Sequence, residues 1–368
     1  MNRIPVFCRS ELVAPDQGAS PSAHKPAQVV ADWQAHGLPI DVIAPPPVTR
    51  RELALAHDAA YVDGVLDGLK PNGFGNRSPA VAGSLPYTSG AMLAAARAAL
   101  ANRAVAVAPV SGFHHACFDF GGGFCTFNGL MVTACVLHAE GQIERIGIID
   151  FDQHYGNGTD DIISRRRIRW VDHCTSGRHR LRPTQAAEFL DHIAEVLARM
   201  RGCDLILYQA GADPHVNDPL GGWLTTEQLR ERDRRVFAAA AEWQVPVAWN
   251  LAGGYQRTAD ETAASDRCWR STAIRCWSAR PGTRSAAAAD VRRDGHGSRA
   301  DAAGQRREAA GKRCLGIRAP ARGFARYAPR RTLNARKSRA GSGTASFQTI
   351  DIGRSPSADS SVTGPQAR

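Results

Sequence analysis

No run of apolar residues in this 368-residue chain approaches the roughly 18 that a membrane-spanning helix needs. Residues 1–10 contain a short apolar stretch broken by charge, without the apolar core of a secretory signal. These two absences predict a cytoplasmic protein with no membrane partner. The nine cysteines include no Cys-x-x-Cys pair and no regular framework, so reduced, mostly buried thiols are expected rather than disulfides.

Branched apolar residues are scarce in one part only. Residues 258–368 hold eight Ile, Leu or Val and show no sustained period. Such a segment cannot bury enough apolar surface to offset its ordering entropy, and disorder is expected there. The same stretch carries 22 Lys+Arg against 9 Asp+Glu, +13, while the preceding 257 residues carry 24 against 26, −2. The net charge of +11 is therefore a property of the tail. It argues for no specific nucleic-acid partner of the body, and tail charge alone would give only weak, salt-sensitive binding.

At 43% hydrophobic residues the chain can bury a full core. Helical spacing is read over residues 27–36, 51–69, 89–101, 127–140, 183–200 and 226–243. Short apolar runs at 104–108, 145–151, 169–171, 204–209 and 245–251 read as buried strands. Strands alternating with helices imply a parallel sheet covered on both faces, whose ligands bind beyond the strands' carboxyl ends.

Four polar blocks lie just there. The first is Gly112-Phe113-His114-His115-Ala116, followed by the glycines of 121–123, Phe124 and Asn128. Adjacent histidines can act in tandem, one taking a proton from water while the other stays charged. Phe124 would wall a narrow acyl channel beside Gly123. The second block is Asp150-Phe151-Asp152-Gln153-His154-Tyr155-Gly156-Asn157. In an extended segment residues two apart share a face, so Asp150, Asp152 and His154 converge, a donor set suited to zinc. The third runs from Gln209 through Asp213, His215 and Asp218; Asp213 could supply a further ligand, and Asp218 orders the loop. The fourth, Asn250 to Tyr255, places a tyrosine after Gly253 and Gly254, where its hydroxyl could stabilise an oxyanion. Each block alone has a structural alternative: a solvated His pair, a polar turn, a packed tyrosine. Together they supply a metal, a base and an oxyanion donor in order along the chain.

These blocks, over residues 20–255, resemble the histone deacetylase family in its form related to class II enzymes, acetylpolyamine amidohydrolases and acetoin-utilisation proteins. The resemblance implies the arginase/deacetylase fold, a three-layer α/β/α domain. It implies hydrolysis of an N-acyl amide, an acylated lysine or acylated polyamine, with catalytic Zn2+ held by Asp152, His154 and Asp213. It makes His115 the general base and later acid, and His114 an electrostatic partner oriented by Asp150. Asn157 would stand beside His115, and Tyr255 would bind the substrate carbonyl. It also implies a structural K+ at oxygens of Asp150, Asp152 and His154 and backbone groups near Asp172 and His173. A related arginase-type hydrolase would carry an Asp-x-His-x-Asp block for two manganese ions; here the order is Asp-x-Asp-x-His.

The sequence departs from the family at Phe113, at Cys174 and after Tyr255. The expected organisation is a catalytic domain over 1–257, incomplete at its C-terminal side, and a tail over 258–368. Reading the codons permitted from Glu261 onward in a shifted frame allows Asp-Gly-Ser-Ile-Arg-Pro-Val-Leu-Glu-Ile-His, resembling the usual family end. A frameshift near codons 256–258 is the corresponding hypothesis, open to resequencing, with an impaired or non-folding remnant as the alternative to an active enzyme.

Overall fold

The computed structural model of the chain describes residues 3–14, 23–178 and 181–255. The expected tail and the shifted frame lie outside these residues. The strands are β1 (Ile4–Phe7), β2 (Ile40–Ile43), β3 (Val105–Ala108), β4 (Ile146–Asp150), β5 (Val171–Thr175), β6 (Leu205–Gly211) and β7 (Val247–Ala252). They pair in parallel in the order β2-β1-β3-β7-β6-β4-β5. The helices are α1 (Lys25–Ala35), α2 (Arg50–Leu53), α3 (Ala59–Leu66), α4 (Pro79–Asn102), α5 (Gly129–Ala139), α6 (Asn157–Arg165), α7 (Ala186–Met200) and α8 (Thr226–Glu242).

Alternation along the central strands divides the core in two. Ala106, Ala108, Ile146, Ile148, Leu205 and Leu207 face the side occupied by residues of α4 and α5, such as Met92 and Leu130. Val105, Val107, Ile149, Ile206, Tyr208 and Trp249 face the side occupied by α1, α7 and α8, with Trp33, Ile193 and Phe237. Both faces of β3, β4, β6 and β7 are buried, which is why these strands read as unbroken apolar runs. The outcome is the expected three-layer α/β/α sandwich.

Several expectations need correction. The single helix read over 51–69 is two. Asp58 caps α3 by accepting from the Tyr61 amide at 2.9 Å, and the turn before it sends His57 inward. There His57 Nδ1 meets the Cys117 carbonyl at 2.9 Å, and Nε2 accepts from the Asn128 amide at 2.8 Å. The helix read at 89–101 starts ten residues earlier, at Pro79, behind the Ser78 cap. The strand read at 169–171 instead runs from Val171 to Thr175, paired in parallel with β4, and the Trp170 ring before it stacks on His138 at 4.0 Å. Two strands, β1 and β2, and helix α6 were not legible at all. Among the described residues no helix is long and apolar enough to cross a membrane, and the six cysteines there are free thiols.

One cation ties a covering layer to the site end of the sheet. Arg232 of α8 is buried and donates to the carbonyls of Gly211 at 2.7 Å and Phe151 at 3.2 Å, at the ends of β6 and β4.

Candidate active site

The four polar blocks meet at the carboxyl ends of β3, β4, β6 and β7, the four central neighbours of the sheet. Asp150 ends β4 fully buried. Its Oδ2 lies 2.7 Å from His114 Nδ1, and its Oδ1 accepts from Gln209 Nε2 at 2.9 Å and the Asp152 amide at 3.2 Å. With a carboxylate facing it, Nδ1 of His114 carries a proton. Burial opposes charge on that imidazole, but Asp150 and Asp152 outweigh it and raise its pKa to about 9.

His115 lies beside it, ring centroids 4.1 Å apart. Its Nδ1 donates to Asn157 Oδ1 at 2.6 Å, which leaves Nε2 with its lone pair. Burial and the neighbouring His114 both lower its pKa, so it is the neutral member of the pair. The two imidazoles are thus pushed apart in basicity by their surroundings.

Asp152, His154 and Asp213 form the one group of metal-ligand type found among the described residues, their donor atoms within 4.8 Å of one another. His154 Nδ1 is 3.1 Å from Asp152 Oδ1 and 2.9 Å from Asp213 Oδ2. Asp213 Oδ2 is buried and, despite that short approach, accepts no hydrogen bond in good alignment. Burial pushes the Asp213 carboxyl up to about 7, with Asp152 adding to it. The histidines instead hold Asp152 below the ordinary carboxylate range. Two crowded carboxylates, an orphaned oxygen and an imidazole nitrogen aimed between them fit a borderline divalent cation.

Backbone geometry makes this approach possible. Gly253 has φ +55°, and a Cβ there would lie 2.2 Å from Asp213 Cγ. Gly123 has φ +53°, and its Cβ would stand 2.5 Å from His115 Cδ2. Phe124 follows at φ +64°, a strained conformation for an aromatic residue, and its ring lies 6.2 Å from that of Tyr255. The Tyr255 ring is 6.4 Å from His154, edge to face. Burial and the nearby Asp152 and Asp213 raise its hydroxyl pKa above the ordinary value, so it remains a proton donor.

Other residues take supporting places. Phe113 is buried with its ring against Gly129, and its amide donates to Gln209 Oε1 at 3.0 Å. His215 is a buried loop residue with Nε2 2.9 Å from Thr226 Oγ1. On β5 the Asp172 carboxylate pairs with Arg145 and Arg199, and His173 pairs with Asp160 at 2.8 Å. Cys174 packs against the core on the α7 side. Two contributors were missed in the sequence. Gln209 bridges Asp150 to the Phe113 amide; its only signal was a polar residue ending an apolar strand. Lys25, buried in α1, donates to the Gly253 carbonyl 228 residues away, and nothing local announced it.

The histone deacetylase domain family matches residues 21–172 and 177–271. Histone deacetylase 2 of Arabidopsis thaliana is 28% identical over 173 residues, 42% of this chain and 45% of that protein. An uncharacterized protein of Picosynechococcus sp. is 30% identical over 242 residues, 60% of this chain and 80% of its own length. Acetylpolyamine amidohydrolase 1 of Pseudomonas aeruginosa is 31% identical over 141 residues, 37% of this chain and 39% of the other. The chain thus spans less than half of the Arabidopsis and Pseudomonas relatives but most of the cyanobacterial one. With the family match covering well over half of its residues, the chain belongs to the histone deacetylase family.

Proposed function

We propose that this protein is a zinc-dependent hydrolase of N-acyl amides that takes an acylated lysine or an acylated polyamine and releases a carboxylate and a free amine. The observation that carries the reading is the placement of an Asp-His-Asp donor set, its two carboxylates buried, beside a histidine pair of unequal basicity. Asp152, His154 and Asp213 would hold the ion, which when bound supplies Lewis-acid polarisation and positive charge. His115, through Nε2, takes a proton from the attacking water as the water oxygen bonds to the acyl carbon. It gives that proton to the amine nitrogen as the carbon–nitrogen bond breaks. His114, fixed by Asp150, stays charged and favours the anion that develops nearby. The Tyr255 hydroxyl donates to the acyl oxygen as negative charge builds there. Gly123 and Phe124 wall the channel that admits the acyl group. The structural potassium at the Asp150–His154 segment rests on the family resemblance, and the division into a catalytic domain over 1–257 and a separate tail rests on the change of composition and charge after residue 257.

The test is turnover of a panel of acyl-lysine peptides and acylpolyamines by the zinc-loaded chain, beside a version with the hypothesised reading frame restored. Tyr255→Phe should lower turnover about a hundredfold, the scale of a lost oxyanion donor, with zinc retained. Unchanged turnover removes Tyr255 from the mechanism, and no turnover of any amide by either version overturns the reading.

A further inference from the structure

We propose that Asp218 is the positioning residue for Tyr255, a role that rests on the reading of Tyr255 as the oxyanion donor. Tyr255 follows Gly253 at φ +55° and Gly254 at φ +80°, two residues without side chains to restrain the turn. The direction in which the tyrosine leaves that turn must therefore be set from outside it.

Asp218 supplies the constraint. It is buried in the loop after β6, and its Oδ2 accepts the Tyr255 amide N–H at 2.9 Å. Its Oδ1 accepts the Leu220 N–H, also at 2.9 Å. Its own amide donates to the His215 carbonyl, and its carbonyl accepts from Gly221. Both carboxylate oxygens are thus committed, one to the tyrosine and one to the loop that carries the aspartate. On the near side of the turn, the Gly253 carbonyl is held by Lys25.

The same loop is tied to the metal-ligand segment. The Gln153 side-chain amide donates to the Leu220 carbonyl at 3.1 Å, and the Gln153 backbone N–H donates to Asp213 Oδ1 at 3.1 Å. The chain of contacts runs from Asp213 through Gln153, Leu220 and Asp218 to the Tyr255 backbone. The carboxylate fixes the distance between the tyrosine and the donor set without touching substrate. A neutral amide would not serve equally, because one of its two atoms is itself a donor and would face an N–H.

Two measurements on the full chain test this. The first is independent of turnover: hydrogen exchange of the Gly254 and Tyr255 amides. Asp218→Ala should accelerate exchange there at least about tenfold while β6 amides stay protected, as expected for a local opening. The second is a double-mutant cycle on the zinc-loaded chain. Asp218→Ala should lower kcat at least about tenfold with KM nearly constant, yet add less than about twofold in a Tyr255→Phe background, since the two residues act as one unit. Asp218→Asn should fall between, and it replaces Asp218→Ala in both measurements if the alanine variant does not fold. Unchanged exchange at 254–255, or kcat losses that multiply in the double variant, overturns the proposal. Full turnover in Tyr255→Phe would instead overturn the mechanistic reading, and the exchange result still decides whether Asp218 holds the turn.

Discussion

The Asn157 side-chain oxygen accepts a 2.6 Å hydrogen bond from His115 Nδ1, and this single contact decides which nitrogen of His115 faces the site. An amide oxygen fixes the tautomer without adding charge, so burial and His114 keep the imidazole weakly basic. Asn157→Asp replaces that neutral acceptor with an anion, which favours the imidazolium. The acid limb of the kcat/KM profile should then move to higher pH by about one unit, since more alkaline solution is needed to free the base. A pH profile of both proteins checks this, and an unmoved limb removes His115 from the base role.

Asp213 is the buried member of the donor set whose Oδ2 accepts no aligned hydrogen bond. Zinc at a hundredfold excess over its Kd should stabilise the wild-type protein by about 2.7 kcal/mol. Asp213→Ala should abolish both that increment and the bound zinc, measured by thermal melting with metal analysis. A variant that still binds zinc with unchanged affinity would exclude Asp213 as a ligand.

A methyl group on Gly253 would lie 2.2 Å from Asp213 Cγ, in a backbone conformation already unfavourable for alanine. Gly253→Ala should cost about 1–3 kcal/mol in backbone strain alone and displace the Asp213 carboxylate, weakening zinc binding. Gly37, at φ +65° with open space around its Cβ position, is the control. Gly37→Ala should lower the melting temperature and leave zinc affinity untouched.

His57 is buried in its neutral form, its pKa lowered to about 4 by burial. Between the unfolded value near 6.5 and that folded value, the unfolded chain binds a proton that the folded one rejects. The stability it contributes is complete above about pH 6.5 and is lost as pH falls toward 4, at about 1.4 kcal/mol per unit. Urea titrations over this range should show the slope, and His57→Gln should flatten it. An identical slope in the variant would assign the acid sensitivity elsewhere.

Asp152 and His154 were readable because, with Asp150, they follow an apolar strand at intervals of two, a local signal; Asp150, expected to converge with them, turns instead to His114 and Gln209. Asp213 and Tyr255 follow strands in the same way, and parallel strands deliver their ends to one edge of the sheet. What could not be read depends on partners remote in sequence. The break at His57 in an Ala-rich helical pattern is set by carbonyls some sixty residues later. Lys25 and Gln209 matter only through Gly253 and Asp150. Strands β1 and β2 are four residues each, one holding Pro5 and the other Asp41, too short and interrupted for a period to emerge.

Among the described residues, the strand that closes the sheet is the last one in sequence. β7 lies between β3 and β6, which have no pairing with each other. During synthesis the segment through β3 and the segment from β4 to β6 can each form, but their facing edges stay open until residues 247–252 arrive. Protection of those edges from aggregation thus waits for the same short segment, 247–255, that brings Gly253 and Tyr255 to the candidate site.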